Sequence, residues 1–248
     1  MLKMLRVVMA AWIVAMALPA RGQLAAGDIA FVAYSTDGAD EFSWVALRRI
    51  PAHTTINFTD MSVSNGGFRL SEHLSPTYHG PLSWWCTNAV EAGSVVWWMG
   101  GTPGAWSLGQ GTGGGPTLSS EGDQLIAYCG VIVTNTALPA PWQGDACGAT
   151  LLHALNFANS GWDNVTGGST ERSFVPPGLS TNTFTAVHVS SKDNGYYSGP
   201  TVGSKDELLR AIANPANWTV SDIEFETIFW TGAEAFRVKP RGMVMSIK

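Results

Sequence analysis

An all-β sandwich with long polar loops and one short C-terminal helix is the fold class this sequence predicts. Three observations point to it. Short runs of β-branched and aromatic residues, bounded by Gly, Asp, Asn and Pro, recur along the chain in the pattern of strands and turns. Charged residues make up only 13% of the chain, against 11 Trp and 28 Gly; packable aromatics with many turn formers suit a β domain and not a disordered one. One segment carries a good helix signature, Ser204-Lys205-Asp206-Glu207 followed by Leu208, Leu209 and Ile212.

Residues 1–22 are expected to lie outside the fold. Lys3 and Arg6 precede an apolar run, Val7–Leu18, that is short for a bilayer span, and Pro19 leads into Ala20-Arg21-Gly22. Small residues at −3 and −1 of a cut before Gln23 complete a secretory signal peptide. No second long apolar run follows, so no membrane insertion is expected after cleavage. Removing 1–22 takes away Lys3, Arg6 and Arg21 and no acid, which moves the formal charge from −5 to −8. An acidic product is a poor match for nucleic acid or for an anionic membrane, both of which demand a basic face. The expected body is a single domain over residues 23–236, secreted, periplasmic or at the cell surface, with a basic tail from Arg237 to Lys248.

The body opens with Gly27–Asp60, which reads as three consecutive strands. Ile29–Tyr34 is apolar on both faces, as in a central strand. Thr36–Asp40 is turn chemistry, Phe42–Leu47 is apolar again, and Pro51 stops it. Thr55–Thr59 alternates, with Ile56 and Phe58 on one face. Met61–His79 is polar loop; its two histidines fit no zinc spacing. Leu82–Cys86 and Ser94–Met99 are the next strands. Gly100–Pro116 is Gly-rich, without the GK[ST] of a phosphate loop or a following helix, and reads as a flexible loop. Asp123–Cys129 and Phe184–Val189 read as strands and Thr150–Phe157 as a strand or a helical turn, with a Pro-containing excursion over Gly130–Ala146 and a loop over Asn159–Ser180. Ser204 and Glu207 form a capping box that starts the helix, and Asn214-Pro215 ends it. Ile223–Trp230 closes the apolar pattern.

Three sets of side chains are candidates for chemistry. The first is tryptophan. Trp84-Trp85 and Trp97-Trp98 lie in strands, so one ring of each pair belongs in the core and the other on the opposite face. With Trp106, the outward rings are either a sugar-stacking platform or are covered by loops. The second is carboxylate: Asp37, Asp40 and Asp60 lie close to turns, and such groups with loop carbonyls suit Ca²⁺, though the spacing is not that of an EF-hand loop. The third is thiol. Cys129 and Cys147 flank the excursion, and a bridge would constrain the unfolded chain by ~3 kcal/mol; Cys86 with Cys129 is the alternative. No GxSxG elbow or favoured Ser–His–Asp set is present.

Gly27-Asp28-Ile29-Ala30-Phe31, Thr36-Asp37-Gly38 with Asp40 and Phe42, Ile56-Asn57-Phe58-Thr59-Asp60, Gly122–Tyr128, Asp193-Asn194-Gly195 and Asn214-Pro215-Ala216-Asn217-Trp218 together resemble a group of exported bacterial domains. That group has no characterised activity to carry over, and its members look like modules at the front of larger surface or secreted proteins. Glu41–Leu47 and Gly122–Tyr128 are also similar to strands of the lamin-tail domain, an immunoglobulin-like sandwich. This likeness implies a fold and an adhesive or anchoring use, and no catalytic residues. The part after Cys147 has no lamin-tail counterpart. Two functions are therefore expected in competition: a non-catalytic module for adhesion, binding or assembly with Ca²⁺ as a candidate ligand, and a carbohydrate-binding or carbohydrate-active protein using exposed Trp.

Overall fold

The computed structural model describes residues 23–64, 66–70, 81–100, 104–163, 170–189, 191–225 and 236–240. Two sheets pack face to face. The first holds β1 (Ile29–Ser35), β2 (Glu41–Ala46), β7 (Val95–Met99), β8 (Ala105–Trp106), β13 (Asn194–Tyr197) and β15 (Trp218–Ser221), in the order β15-β13-β1-β2-β7-β8. The second holds β3 (Thr55–Thr59), β4 (Val63–Ser64), β5 (Gly67–Phe68), β6 (Leu82–Trp85), β9 (Gln110–Thr112), β10 (Gln124–Thr134) and β11 (Gly144–Asn156), in the order β4-β5-β11-β10-β3-β6-β9. These ladders are antiparallel; β12 (Ala186–His188) adds to β11 in parallel, and β14 (Val202–Ser204) pairs in parallel with β16 (Arg237–Lys239). The architecture is an all-β sandwich with one short helix, α1 (Lys205–Ile212).

Aromatic rings fill the space between the sheets. Phe31, Phe42, Trp44 and Trp98 come from the first sheet, and Phe58 and Trp84 from the second; all six are buried. Trp44 meets Trp84 edge-on with centroids 5.0 Å apart, and Phe42 lies 4.9 Å from Phe58. Such pairs add to the area term because the ring edge is positive and the face negative. Further along, Tyr34 stacks on Phe157 at 4.2 Å. The outer face of the second sheet is covered as well: Met61, Val63, Phe68, Ile126, Tyr128, Leu179 and Ala186 form a second apolar cluster. Residues 124–128 of β10 are consequently buried on both faces.

The Gly-rich stretch after β7 is the largest departure from the sequence reading. Its described part is not a free loop. β8 belongs to the first sheet and β9 to the second, so the chain crosses between them and closes one side of the sandwich. The glycines are there because the chain runs over indole rings. A Cβ on Gly109 would lie 2.4 Å from Trp84, one on Gly111 2.2 Å from Trp106, and one on Gly115 2.2 Å from Trp98.

The excursion over 130–146 also differs. β10 and β11 continue beyond the end of the β3 pairing as a two-stranded arm, with Val131 opposite Gly148 and Thr134 opposite Gly144, and Gly144 pairs on its other side with Phe68 of β5. The expected Cys129–Cys147 bridge is not formed, and all three cysteines are free. Cys129 faces Thr150, so Cys147 lies three residues along the ladder, roughly 10 Å at ~3.4 Å per residue. Disulfides need Cα atoms within ~7 Å. Cys86, just past the end of β6, is separated from β10 by β3, two strand spacings or about 10 Å, which also excludes the alternative pair.

Other elements follow the sequence closely. Ser204 Oγ accepts the Glu207 amide, and the Glu207 carboxylate accepts the Ser204 amide, the reciprocal capping box. Leu208, Leu209 and Ile212 are the buried face of α1, and Trp218 Nε1 donates to the Ile212 carbonyl at the other end. The Phe184–Val189 strand shortens to β12, with Phe184 itself at φ 61°. Arg237–Lys239, read as tail, is β16. The signal peptide, the two loop histidines and most of Ile223–Trp230 lie outside the described residues.

Two glycines separate packing from backbone strain. Both Gly115 and Gly178 have positive φ, 78° and 82°, yet a Cβ on Gly178 meets nothing within 4 Å. Gly178→Ala should cost about 1–2 kcal/mol from strain alone. Gly115→Ala should cost a further ~1–3 kcal/mol because the methyl overpacks Trp98. Urea denaturation of both variants measures the difference; equal losses would show that the indole contact is unimportant.

Candidate functional site

The strands run alternately up and down, so their ends collect at two poles. At one pole lie the end of β1, the start of β2, the end of β3, the starts of β10 and β13, and the end of β15. Asp37, Asp40, Glu41, Asp60, Asp123, Asp193 and Asp222 sit at or beside those ends. At the other pole lie Arg48, Arg49, Lys205, Arg210, Arg237 and Lys239. The second pole is mixed, with Arg48 and Lys205 paired to Asp28 and Arg49 paired to Glu91, whereas the first is mainly acidic, with Lys192 paired to Asp222.

The structure divides the three expected metal ligands. Asp40 and Asp60 are brought together under the segment that leads to β10: Asp60 accepts the Thr117 amide at 2.7 Å, and Asp40 takes a backbone hydrogen bond from Leu118. Burial pushes the Asp40 carboxyl up to about 7, the Leu118 amide pulls it back, and the Asp60 charge adds to the rise. Asp37 is elsewhere on the pole, accepting from Asn194 Nδ2 at 2.7 Å. Its charge, with Asp222 and Glu121, raises Asp193, for which desolvation is the larger cause. Burial and then Glu224 push Glu41 up to about 7. Among the described residues, no three His, Cys, Asp or Glu side chains are grouped to hold a metal ion.

The tryptophans separate as the alternation requires. Trp84 and Trp98 are core rings, and Trp84 Nε1 donates to the Leu108 carbonyl at 2.7 Å. Trp106 lies at the crossing between β8 and β9, 5.6 Å from Phe58 and 5.9 Å from Phe42, and plugs the core. Trp85 and Trp97 are half-buried. Trp85 is on the second sheet and Trp97 on the first, each pointing away from the core. The two rings therefore emerge on opposite outer faces and do not form one platform. Trp85 Nε1 donates to Gln110 Oε1 at 3.2 Å.

One titratable side chain of the core carried no signal in the sequence. The β1–β2 register slips between Phe31 and Ala33. The Phe31 amide donates across to His153 Nδ1 on β11, 3.4 Å away. An acceptor Nδ1 requires the neutral ring, and complete burial accordingly pushes its pKa down to about 3, against the smaller opposite effect of the Phe184 backbone. A groove of about 510 Å³ also runs beside β11, lined by Ala25, Gly66, Cys147, Leu151 and Pro177 among others. No helix among the described residues is long and apolar enough to cross a membrane.

These groups set the pH dependence of stability. Native Asp40 and Glu41 keep protons that the unfolded chain releases, so their contribution is full below pH ~4 and is lost as pH rises towards 7. His153 has the opposite sign: the unfolded chain takes up a proton below pH ~6.5 that the native ring refuses, so stability is lost as pH falls from there towards 3. Thermal melts should peak near pH ~4 and fall towards pH 7, because above about pH 4.5 the two carboxyls together outweigh the single histidine. Asp40→Asn should flatten the decline on the alkaline side and His153→Gln the decline on the acid side. A melting temperature independent of pH from 4 to 8 in the parent chain would refute both assignments. The chain matches no family model, no curated protein and no solved structure.

Proposed function

We propose that the chain is an exported, non-catalytic module for adhesion, binding or assembly, and that the acidic pole is its contact surface. The observation that supports this most is the convergence of carboxylates at one pole. Carboxylates from several separate connections converge at one end, and several are held in place by backbone or amide donors. Like charges gathered at such a cost in self-repulsion create a field that attracts a cationic partner. Asp40 and Asp60 are the pair that would take Ca²⁺, completed by loop carbonyls, since calcium binds six to eight oxygens. The lamin-tail-like, immunoglobulin-type reading belongs with this proposal; two packed antiparallel sheets support it. The carbohydrate alternative has less support, because Trp85 and Trp97 face opposite ways and Trp84, Trp98 and Trp106 serve the core.

Melting in the presence of Ca²⁺ tests the metal part. At ten times Kd, binding to the native state adds about 1.4 kcal/mol, a rise of roughly 3–5 °C. Asp60→Asn should abolish that rise. Binding to immobilised poly-lysine tests the contact surface: it should weaken steeply with added salt, and an Asp37→Asn, Asp193→Asn variant should bind more weakly with a shallower salt dependence. A chain that binds neither probe at low salt would leave the acidic pole without a role, and glycan-array binding lost in Trp85→Ala would then favour the carbohydrate reading.

A further inference from the structure

Among the described residues, the β10–β11 arm leaves one strand edge open where the other sheet edges are short or broken. β3 pairs with β10 only from Tyr128 to Ile126. Beyond that, among the described residues, Gly130–Thr134 meet β11 on one side and, apart from Asn57 Nδ2 on the Gly130 carbonyl, no hydrogen-bond partner on the other. The remaining sheet edges are short: β4 and β8 have two residues each, β9 three and β15 four. The β11 side of the arm is broken by register shifts near Ile132 and Tyr128 and flanked by Pro177. Short strands, bulges, charges and Pro are the usual devices against edge-to-edge pairing. Gly130-Val131-Ile132-Val133-Thr134 carries no charge and no Pro.

Its side chains point the same way. Ile132 is half-buried against the outer cluster, whereas Val131 and Val133 are 62% and 40% exposed. They stand on the face of β10 that, further up, lines the core; here the arm has run beyond the first sheet and that face is bare. The backbone parity is also set. The Gly130 carbonyl is turned to the open edge, since Asn57 Nδ2 reaches it there at 2.9 Å. Gly130 itself sits at φ 89°, and at the far end of the arm the Asn135 amide donates to the Gln143 carbonyl, so alternation along β10 turns the amide and carbonyl of Ile132 to the open edge.

We propose that this edge pairs with the same edge of a second copy, antiparallel about a two-fold axis through Ile132. A two-fold contact must be self-complementary, and this segment is. Ile132 exchanges both backbone hydrogen bonds with Ile132 of the other copy. Val131 then lies opposite Val133, twice, and the four exposed valines cover one another. Cross-strand β-branched pairs of this kind stabilise a ladder. Gly130–Thr134 holds no charge, so the two segments approach without like-charge repulsion. Two copies joined here extend the second sheet continuously from one body into the next. The inference is independent of the acidic pole, which lies at the other end of the strands.

Sedimentation equilibrium of the purified chain from about 1 to about 100 µM should show a monomer–dimer equilibrium. Val131→Lys with Val133→Lys should raise the dimer Kd at least ~10-fold, since inward-facing lysines block edge pairing, with the thermal melt unchanged. The register is tested in a Cys147→Ser background by oxidising Val131→Cys chains and Val133→Cys chains, mixed and separately. Cross-linked dimer should form in the mixture and not in either chain alone. A monomer throughout the concentration range, a dimer unaffected by the two lysines, or self-cross-linking of the Val131→Cys chain would overturn the proposal. Loss of poly-lysine or Ca²⁺ binding would leave it untouched.

Discussion

The contact between Trp44 and Trp84 is where the two sheets are locked together, and the rest of the architecture answers to it. Large rings at the centre of a sandwich set the separation of the sheets and leave little room for anything else nearby. Everything that passes close to them must be small or must accept a hydrogen bond. The segment after β7 satisfies both conditions: Gly109, Gly111 and Gly115 press against indole rings, and the Leu108 carbonyl receives Trp84 Nε1. A composition that suggested looseness is in fact the imprint of close packing, because the absent side chains are the space the tryptophans occupy.

The buried histidine shows how a defect in one sheet is answered by the other. A register slip in β1 frees the Phe31 amide inside an apolar core, where an unmet donor costs about 1–3 kcal/mol. His153, from the facing sheet, supplies a neutral acceptor. The amide and the ring are specified jointly, so neither can be understood from its own strand. The acidic pole is a different kind of cooperation. Its carboxylates are attached to separate turns, and their mutual repulsion is tolerated because Thr117, Leu118 and Asn194 donate to them.

Much of the strand pattern was legible in the chain. Thr55–Thr59 alternates strictly and its bounds are those of β3; Ser204 and Glu207 announce α1 by a local reciprocal bond that needs no tertiary help. The division of each Trp pair between core and surface follows from the two-residue period alone. What failed was whatever depended on register. Pro139, Pro141 and Gly130 mark a turn, but they do not reveal that the strands on either side keep pairing as an arm, and without that ladder the Cys129–Cys147 spacing looked suitable for a bridge. The acidic pole was half legible: in an antiparallel meander, acids just after β1, just before β2 and just after β3 must share an end. That Asp193 and Asp222 join them depends on where β13 and β15 dock, which no local pattern encodes.

The described chain enters and leaves the body at the same pole. Ala25 is bonded to Asp28, Gly27 to the Leu152 carbonyl, and Arg237 to the Thr201 carbonyl. A strand the length of β1 spans roughly 23 Å, and the carboxylates lie at its far end. Both ends of the described chain therefore lie on the side of the sandwich away from the carboxylates, and neither crowds them.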